Sequence, residues 1–300
     1  MKDLLVKIIP ILLIFFLGML LKQVRLFNKE DGDRFLSLVF HVSLPALILP
    51  SVMNIALSLE FIFLPICAIA IIFGTYAVAL LVSRHFQLER KSLAVFLVGS
   101  TIVNTGFTLP FFIAVYGKEG LARASMFDLG NGFLVFTFIY YLALKYSSRS
   151  SGRRIPVHKF FLLPPLWALA IAILLNVLHV QLPAIASNLL GTLGNLTTPL
   201  IMLSLGIYFK WNVVNFKAMT SVIFIRMGVG LLLGFILVSI FHLEQVSRMV
   251  VLINAASPVG YNTLIYASME DLDTEFAASL VSISILLGLL YTPLLLALLS

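Results

Sequence analysis

The stretch Val98-Gly99-Ser100-Thr101-Ile102-Val103-Asn104-Thr105-Gly106-Phe107-Thr108-Leu109-Pro110 decides the fold. It places glycine, proline, an amide and small hydroxyls in the middle of an apolar run long enough to span a bilayer. Pro110 has no N–H and clashes with the carbonyl of Gly106, while Gly106 permits backbone angles that other residues resist. Opened backbone in hydrocarbon survives only where protein or a wet cavity covers it. A second stretch, Ile253-Asn254-Ala255-Ala256-Ser257-Pro258-Val259-Gly260-Tyr261-Asn262-Thr263, follows the same plan, with Pro258 set against Asn254.

The two stretches belong to a weak internal repeat. At a shift of 154 residues, without gaps, Pro10 falls on Pro164, Pro45 on Pro199, Gly74 on Gly228 and Gly106 on Gly260. About one such coincidence is expected by chance at this composition. Around them, Leu44-Pro45-Ala46-Leu47-Ile48-Leu49 lies over Thr198-Pro199-Leu200-Ile201-Met202-Leu203.

Composition explains where such a chain resides. Of 300 residues, 61% are hydrophobic and only 11% charged, and mean hydropathy is +1.08. A soluble domain of this size cannot hide that much apolar surface, so the chain reads as a polytopic membrane protein without a separate soluble domain. Ten segments are long and apolar enough to span: 4–21, 35–53, 61–82, 92–116, 124–144, 160–179, 189–209, 218–241, 248–268 and 276–299,. The N-terminus resembles a signal peptide, but no small-residue cleavage site follows Leu21, so it reads as an uncleaved first span. The one cysteine, Cys67, excludes an intramolecular disulfide.

Five spans per copy force the two copies to enter the bilayer from opposite sides. The expected domains are residues 1–145, a first five-helix repeat; 146–159, a basic linker; and 160–300, a second, inverted repeat. Connections after odd-numbered spans carry fourteen Lys and Arg, from Lys22 to Lys217, against five on the other face. That bias makes the first face cytoplasmic, with loop 145–159 inside and both termini outside. The net charge of +7 thus reflects topology, and no nucleic-acid partner is expected. Trp211 and Tyr208 read as interfacial anchors.

Inverted symmetry brings the broken spans 4 and 9 together near the midplane. The second half of each starts there, and two helix N-termini make a site for an anion, a carboxylate above all. The candidate site comprises Asn104, Thr105, Gly106, Phe107, Thr108, Pro110, Ser257, Pro258, Gly260, Tyr261 and Asn262. The amides and hydroxyls add hydrogen bonds, and Phe107 and Tyr261 hold an apolar portion of the ligand.

Ionisable residues inside spans are few. Asp128, near the outer end of span 5, either carries a coupling proton or pairs with Arg123 near the interface. Arg226 either attracts an anionic substrate or snorkels to the surface. His41 either titrates or is held neutral in a helix interface. A cation carrier would place paired acids at the crossing, whereas neutral amides and hydroxyls stand here, which favours an anion. No metal cluster and no resident cofactor is expected, only a coupling H+ or Na+. Paired membrane aspartates, His-Glu-x-x-His and a Ser–His arrangement are all missing, so an enzyme is disfavoured.

The run Asn104-Thr105-Gly106-Phe107-Thr108-Leu109-Pro110 resembles the fourth-helix motif of the auxin efflux carrier family, which includes bacterial dicarboxylate carriers and the plant PIN carriers. Ala255-Ala256-Ser257-Pro258, Tyr266-Ala267, Tyr291-Thr292-Pro293-Leu294-Leu295-Leu296 and Pro199-Leu200-Ile201-Met202-Leu203-Ser204-Leu205-Gly206 are similar to later family segments. Thr108 stands where the family usually has glycine.

The resemblance implies an all-α membrane protein of ten transmembrane helices in two inverted five-helix repeats, NhaA/bile-acid-symporter-like, with crossing helices 4 and 9. It also implies a scaffold, formed by spans 1, 2, 6 and 7, and carriage of organic carboxylates such as malate, malonate or auxin-like acids by alternating access. Asn104, Pro110 and Pro258 are the site positions it carries over. A sodium-coupled organic anion symporter of the bile-acid type is the alternative, and a non-transporting membrane sensor is the alternative of another class. The expected partners are a small organic carboxylate and the lipid bilayer of the plasma (inner) membrane, and a homodimer is compatible with the reading.

Overall fold

A computed structural model describes residues 2–57, 59–147, 161–211, 213–243 and 245–299. Eleven helices are labelled here: α1 Lys2–Gln23, α2 Lys29–Met53, α3 Glu60–Ser83, α4 Arg90–Thr101, α5 Thr105–Tyr146, α6 Pro164–Val177, α7 Ala184–Tyr208, α8 Phe216–Ile240, α9 Gln245–Ala255, α10 Asn262–Met269 and α11 Thr274–Leu299. Among the described residues there is no strand, only one isolated antiparallel bridge between Val103 and Val259. Seven helices (α1, α2, α3, α5, α7, α8 and α11) are long and apolar enough to cross a membrane. The chain is an integral membrane protein. Of the linker expected over 146–159, all beyond Ser147 lies outside the described residues, as does the start of the sixth expected span.

Span boundaries differ from expectation in one informative place. The loop expected over 117–123 is a single glycine. Gly117 has φ 57° and ψ −134°, a backbone that L side chains avoid. Helix resumes at once, and Glu119 and Arg123 pair one turn apart in its first turns, an orientation that favours helix. Asp128 therefore lies about 15 Å along the helix from the break, three turns in rather than the one turn expected.

The chain forms two compact units, each drawing on both halves of the sequence. The first comprises residues 1–61, 109–126 and 161–209; the second comprises 62–108, 127–160 and 210–300. The first unit thus holds α1, α2, α6 and α7. Gly18 and Gly206 let α1 and α7 meet backbone to backbone: a Cβ on Gly206 would overlap the Phe15 carbonyl and lie 3.0 Å from Gly18 Cα, as small residues allow between membrane helices. In α2, Pro45 cannot donate to the His41 carbonyl, so the turn ahead of it widens and Leu44 N–H bonds Val39 O,. The Asn176 amide closes the far end of α2, donating to the carbonyls of Val52 and Ile55 at 2.8 Å and of Met53 at 3.0 Å. The Thr197 hydroxyl donates to Ser43 at 3.1 Å; these two residues are 154 apart in sequence. Tyr208, expected at the interface, is instead buried and donates to Asp33 at 2.6 Å.

In the second unit one end is polar. Lys91 pairs with Asp271 at 2.7 Å, Ser92 donates to Asp273 at 2.7 Å, and Arg90 donates to the Lys145 carbonyl at 2.8 Å. The starts of α4 and α11 and the end of α5 therefore share that end. Just inside it, Glu270 is fully buried and accepts from the Tyr140 hydroxyl at 2.7 Å. The sequence reading, which found only Asp128 clearly inside a span, missed this carboxylate.

The glycine contacts make a test. Gly206→Leu is expected to destabilise the protein by about 1–3 kcal/mol through overpacking. Gly191→Ala, where a Cβ meets open space, should leave stability equal or raise it by up to about 1 kcal/mol. Thermal unfolding of both variants in detergent checks the contrast.

Candidate functional site

Two chain breaks meet inside the second unit. The first runs from Ile102 to Asn104, between α4 and α5; the second from Ala256 to Tyr261, between α9 and α10. Pro110 does not make the first break; it lies buried in the second turn of α5, past the opening. Gly106 is the second residue of α5, whereas Gly260 lies inside the other break, so these two glycines do different work. A Cβ on Gly260 would collide with the Ile102 side chain, while a Cβ on Gly106 would meet only Asn104 Oδ1 at 3.8 Å.

The breaks satisfy each other's backbone. Gly260 N–H donates to Ile102 O at 3.2 Å, and Asn104 N–H donates to Ser257 Oγ at 3.0 Å. Asn104 uses both ends of its amide: Oδ1 accepts from Phe107 N–H at 3.1 Å, capping α5, and Nδ2 donates to Val259 O at 3.0 Å. Val259 N–H donates to Ser284 Oγ at 3.1 Å. One turn further along α11, Gly288 gives room to both Pro258 and Phe107. Thr108, the departure from the family motif, donates to Asn254 Oδ1 at 2.6 Å and ties α5 to the end of α9.

Arg226 neither snorkels nor faces an open space. It is fully buried within a widened turn of α8, Phe224–Val229. Its guanidinium donates to Ala255 O at 2.7 Å, Asn254 O at 3.1 Å and Ser257 O at 3.4 Å. Asn254 O, which also accepts from Ser257 N–H, and Ala255 O lie at the negative end of α9, and Ser257 O lies in the break beyond it; a cation there meets both the hydrogen-bond and the dipole requirement. Gly230 makes the approach possible, since a Cβ there would overlap Ala255 O. His41 belongs to the first unit, where its Nδ1 lies 2.8 Å from the carbonyl of Ser37 in its own helix.

The eleven candidate residues therefore fall into two groups. Asn104, Phe107, Thr108, Pro110, Ser257, Pro258 and Gly260 are buried frame. Thr105, Gly106, Tyr261 and Asn262 are half-buried. The two half-helix N-termini also differ. That of α5 is capped by Asn104, and its Thr105 hydroxyl donates to Asp128 Oδ1 at 2.7 Å. Asp128 also accepts from Asn131 Nδ2 at 2.8 Å. Of the two readings of Asp128, the pairing with Arg123 does not form, and one carboxylate, not a pair, stands beside the amides and hydroxyls at the head of α5. The N-terminus of α10 has no side-chain cap. Serines 257 and 284 were within reach of sequence reasoning as small hydroxyls in spans, but only Ser257 was singled out. A separate recess of about 380 Å³, lined by Phe235, Val238, Ser239, His242, Leu243 and Arg248, lies about two helical turns from the α9 break,.

Two variants test the frame. Gly260→Ala is expected to lower thermal stability sharply, while Gly106→Ala leaves it within about 0.5 kcal/mol. Arg226→Met removes the donors from three buried carbonyls and should cost about 3 kcal/mol or more, with Arg226→Lys recovering part of it. Thermal unfolding of the detergent-purified proteins measures both.

Known proteins resemble this chain over nearly its whole length. The family described as "Membrane transport protein" matches residues 3–156 and 149–296. An uncharacterized transporter of Methanothermobacter thermautotrophicus is 28% identical over 294 residues, covering 96% of this chain and 95% of the relative. An uncharacterized transporter of Methanocaldococcus jannaschii is 26% identical over 294 residues, covering 94% of each chain. With two broken helices satisfying each other inside an all-helical membrane fold, the chain belongs to this membrane transport family, the auxin efflux carriers, and is a transporter.

Proposed function

We propose that the protein carries small organic anions, carboxylates above all, by alternating access, and that the anion docks at the head of α10. The observation that carries this reading is the asymmetry of the two half-helix N-termini. Both have partial positive charge. The head of α5 is already occupied by its own cap and, through Thr105, by Asp128. The head of α10 has no side-chain cap, and the Asn262 side chain makes no hydrogen bond among the described residues. Thr263 and Leu264 N–H already donate to Gly260 O and Tyr261 O at 3.0 Å, so a carboxylate there meets the Asn262 N–H and the Asn262 amide in the field of the helix N-terminus, while Tyr261 offers a ring to the apolar part of the ligand. Thr105 and Gly106, half-buried on the other broken helix, offer a hydroxyl and open space.

The inverted-repeat reading of the fold, with ten crossings, finds support in the same region. Residues related by the 154-residue shift touch in both units: Ser43 with Thr197, and the 103–104 segment with 257–259. Equivalent residues of two copies meet one another only near an axis relating them. The shared polar end of the second unit fits the assignment of odd-numbered connections to one face, which the Lys and Arg bias makes cytoplasmic.

Proteoliposomes holding the purified protein test the reading. Uptake or efflux of labelled malate, malonate or an indole carboxylate is expected, with Asn262→Leu weakening apparent affinity about tenfold or more while leaving the melting temperature close to wild type. Absence of transport across a broad panel of mono- and dicarboxylates overturns it.

A further inference from the structure

The recess between the end of α8 and the start of α9 takes no part in the broken-helix frame, and its walls are of two kinds. Phe235, Val238 and Leu243 are apolar, while Ser239, His242 and Arg248 supply polar atoms. It sits at the end of a 25-residue apolar span, where hydrocarbon gives way to headgroups. The same face of α8 continues back into the span with Leu232, 60% exposed, one turn before Phe235, 38% exposed,. A strip of apolar surface therefore leads out of a polar recess at headgroup depth. The backbone of the turn is a helix closure with an unusual residue in it. His242 has φ 49°, and Leu243 N–H returns to Val238 O at 3.0 Å, with both of those side chains buried. Glycine makes such a closure freely, yet here the position carries an imidazole. Neither His242 nor Arg248 has a hydrogen bond or ion pair among the described residues. No acid lines the recess, and Glu244, the nearest in sequence, lies outside the described residues. The dipole ends of α8 and α9 meet here with opposite sign, so the charge of the recess is that of Arg248.

We propose that this recess holds the headgroup of an anionic phospholipid, with its phosphate on Arg248 and its acyl chains along Phe235 and Leu232. A phosphodiester accepts the two-pronged donor set of a guanidinium, and Ser239 and His242 are left for a headgroup hydroxyl. A cation without a counter-charge, beside apolar surface at the membrane edge, suits an anion that carries its own hydrocarbon. A zwitterionic lipid fits less well, because its ammonium group falls beside Arg248. A soluble phosphate lacks the chains that the apolar strip takes. The volume of about 380 Å³ is that of a small-molecule site.

A lipid seated here bears on the second break. Arg226 of α8 holds the carbonyl end of α9, and Gly234 lets α8 lie close to it, since a Cβ there would stand 2.8 Å from Ala255 Cβ. The lipid joins α8 to the opposite end of α9 through Phe235 and Arg248. The half-helix that leads into the break is then held on α8 at both ends, and a ligand of the folded state alone stabilises it. None of this rests on the organic-anion reading.

The delipidated full chain in neutral detergent provides the test. Thermal unfolding is followed while phosphatidylglycerol, phosphatidylcholine of the same acyl chains, or glycerol 3-phosphate is titrated in. Phosphatidylglycerol is expected to raise the melting temperature more than either of the others. Arg248→Gln should weaken its apparent affinity about fivefold or more. His242→Gly should weaken it as well while leaving the lipid-free protein at least as stable, since glycine relieves the left-handed backbone. Arg84→Gln, which removes a basic residue from a different connection, should leave the lipid response unchanged. Should Arg248→Gln fail to fold, Ser239→Trp, which fills the recess, carries the same comparison. Native mass spectrometry should find phosphatidylglycerol retained on the wild type and lost from Arg248→Gln. An equal response to phosphatidylcholine overturns the proposal, as does a response equally reduced in Arg84→Gln or unchanged in both recess variants. A full response to glycerol 3-phosphate makes the recess a soluble phosphate site and overturns the lipid.

Discussion

Backbone that has left its helix inside an apolar layer must find hydrogen bonds within the protein, and the second unit is organised around that need. Between α4 and α5, and between α9 and α10, the chain gives up its own i→i−4 bonding. The lost bonds are replaced across the gap by Gly260 on Ile102, by Asn104 on Ser257 and Val259, and by Ser284 of α11 on Val259. Arg226 supplies what the others cannot, a multi-donor cation at the carbonyl end of α9. The glycines around it are placed for the same end. Gly230 admits the end of α9, Gly288 admits Pro258 and Phe107, and Gly260 admits Ile102. Each break holds the other, since a shift of one costs the other its partners.

That mutual bonding separates holding from binding. Asn104 looks like a ligand residue by type and position, yet both ends of its amide are engaged with backbone. What stays accessible is the start of α10 and the Thr105–Gly106 step of α5. The two starts share geometry but not charge. One carries a carboxylate through Thr105, and the other carries none. The two helix starts, equivalent by the repeat, therefore differ in both capping and charge.

The apolar spans, their basic connections and the existence of two interruptions were legible because they depend on composition and on local backbone chemistry. The place of the breaks was less so. Proline and glycine pointed to 106–110, but the opening lies at 102–104, where Asn104 can cap α5 and the bridge to Val259 can form. Gly117 was absorbed into a seven-residue loop because Lys118, Glu119 and Arg123 look like loop residues. They are helical, with Glu119 and Arg123 paired across one turn, and that sets Asp128 three turns into the helix. Glu270 and Tyr208 were misjudged for a shared reason: each is polar at a span end, and only its partner, Tyr140 or Asp33, makes burial affordable.

By itself the sequence determined that this is a membrane protein of repeated apolar spans with two interrupted crossings, and which family it joins. The first two follow from hydrophobicity, chain length against bilayer thickness, and the few backbones proline and glycine allow; the family follows from the likeness of motifs such as Asn104–Pro110. Only the tertiary structure decided which polar residue holds the frame and which is open to a ligand. A buried polar atom's role is set by its partner, and Ser257 for Asn104, α9 for Arg226 and Thr105 for Asp128 lie 153, 28 and 23 residues away in the chain.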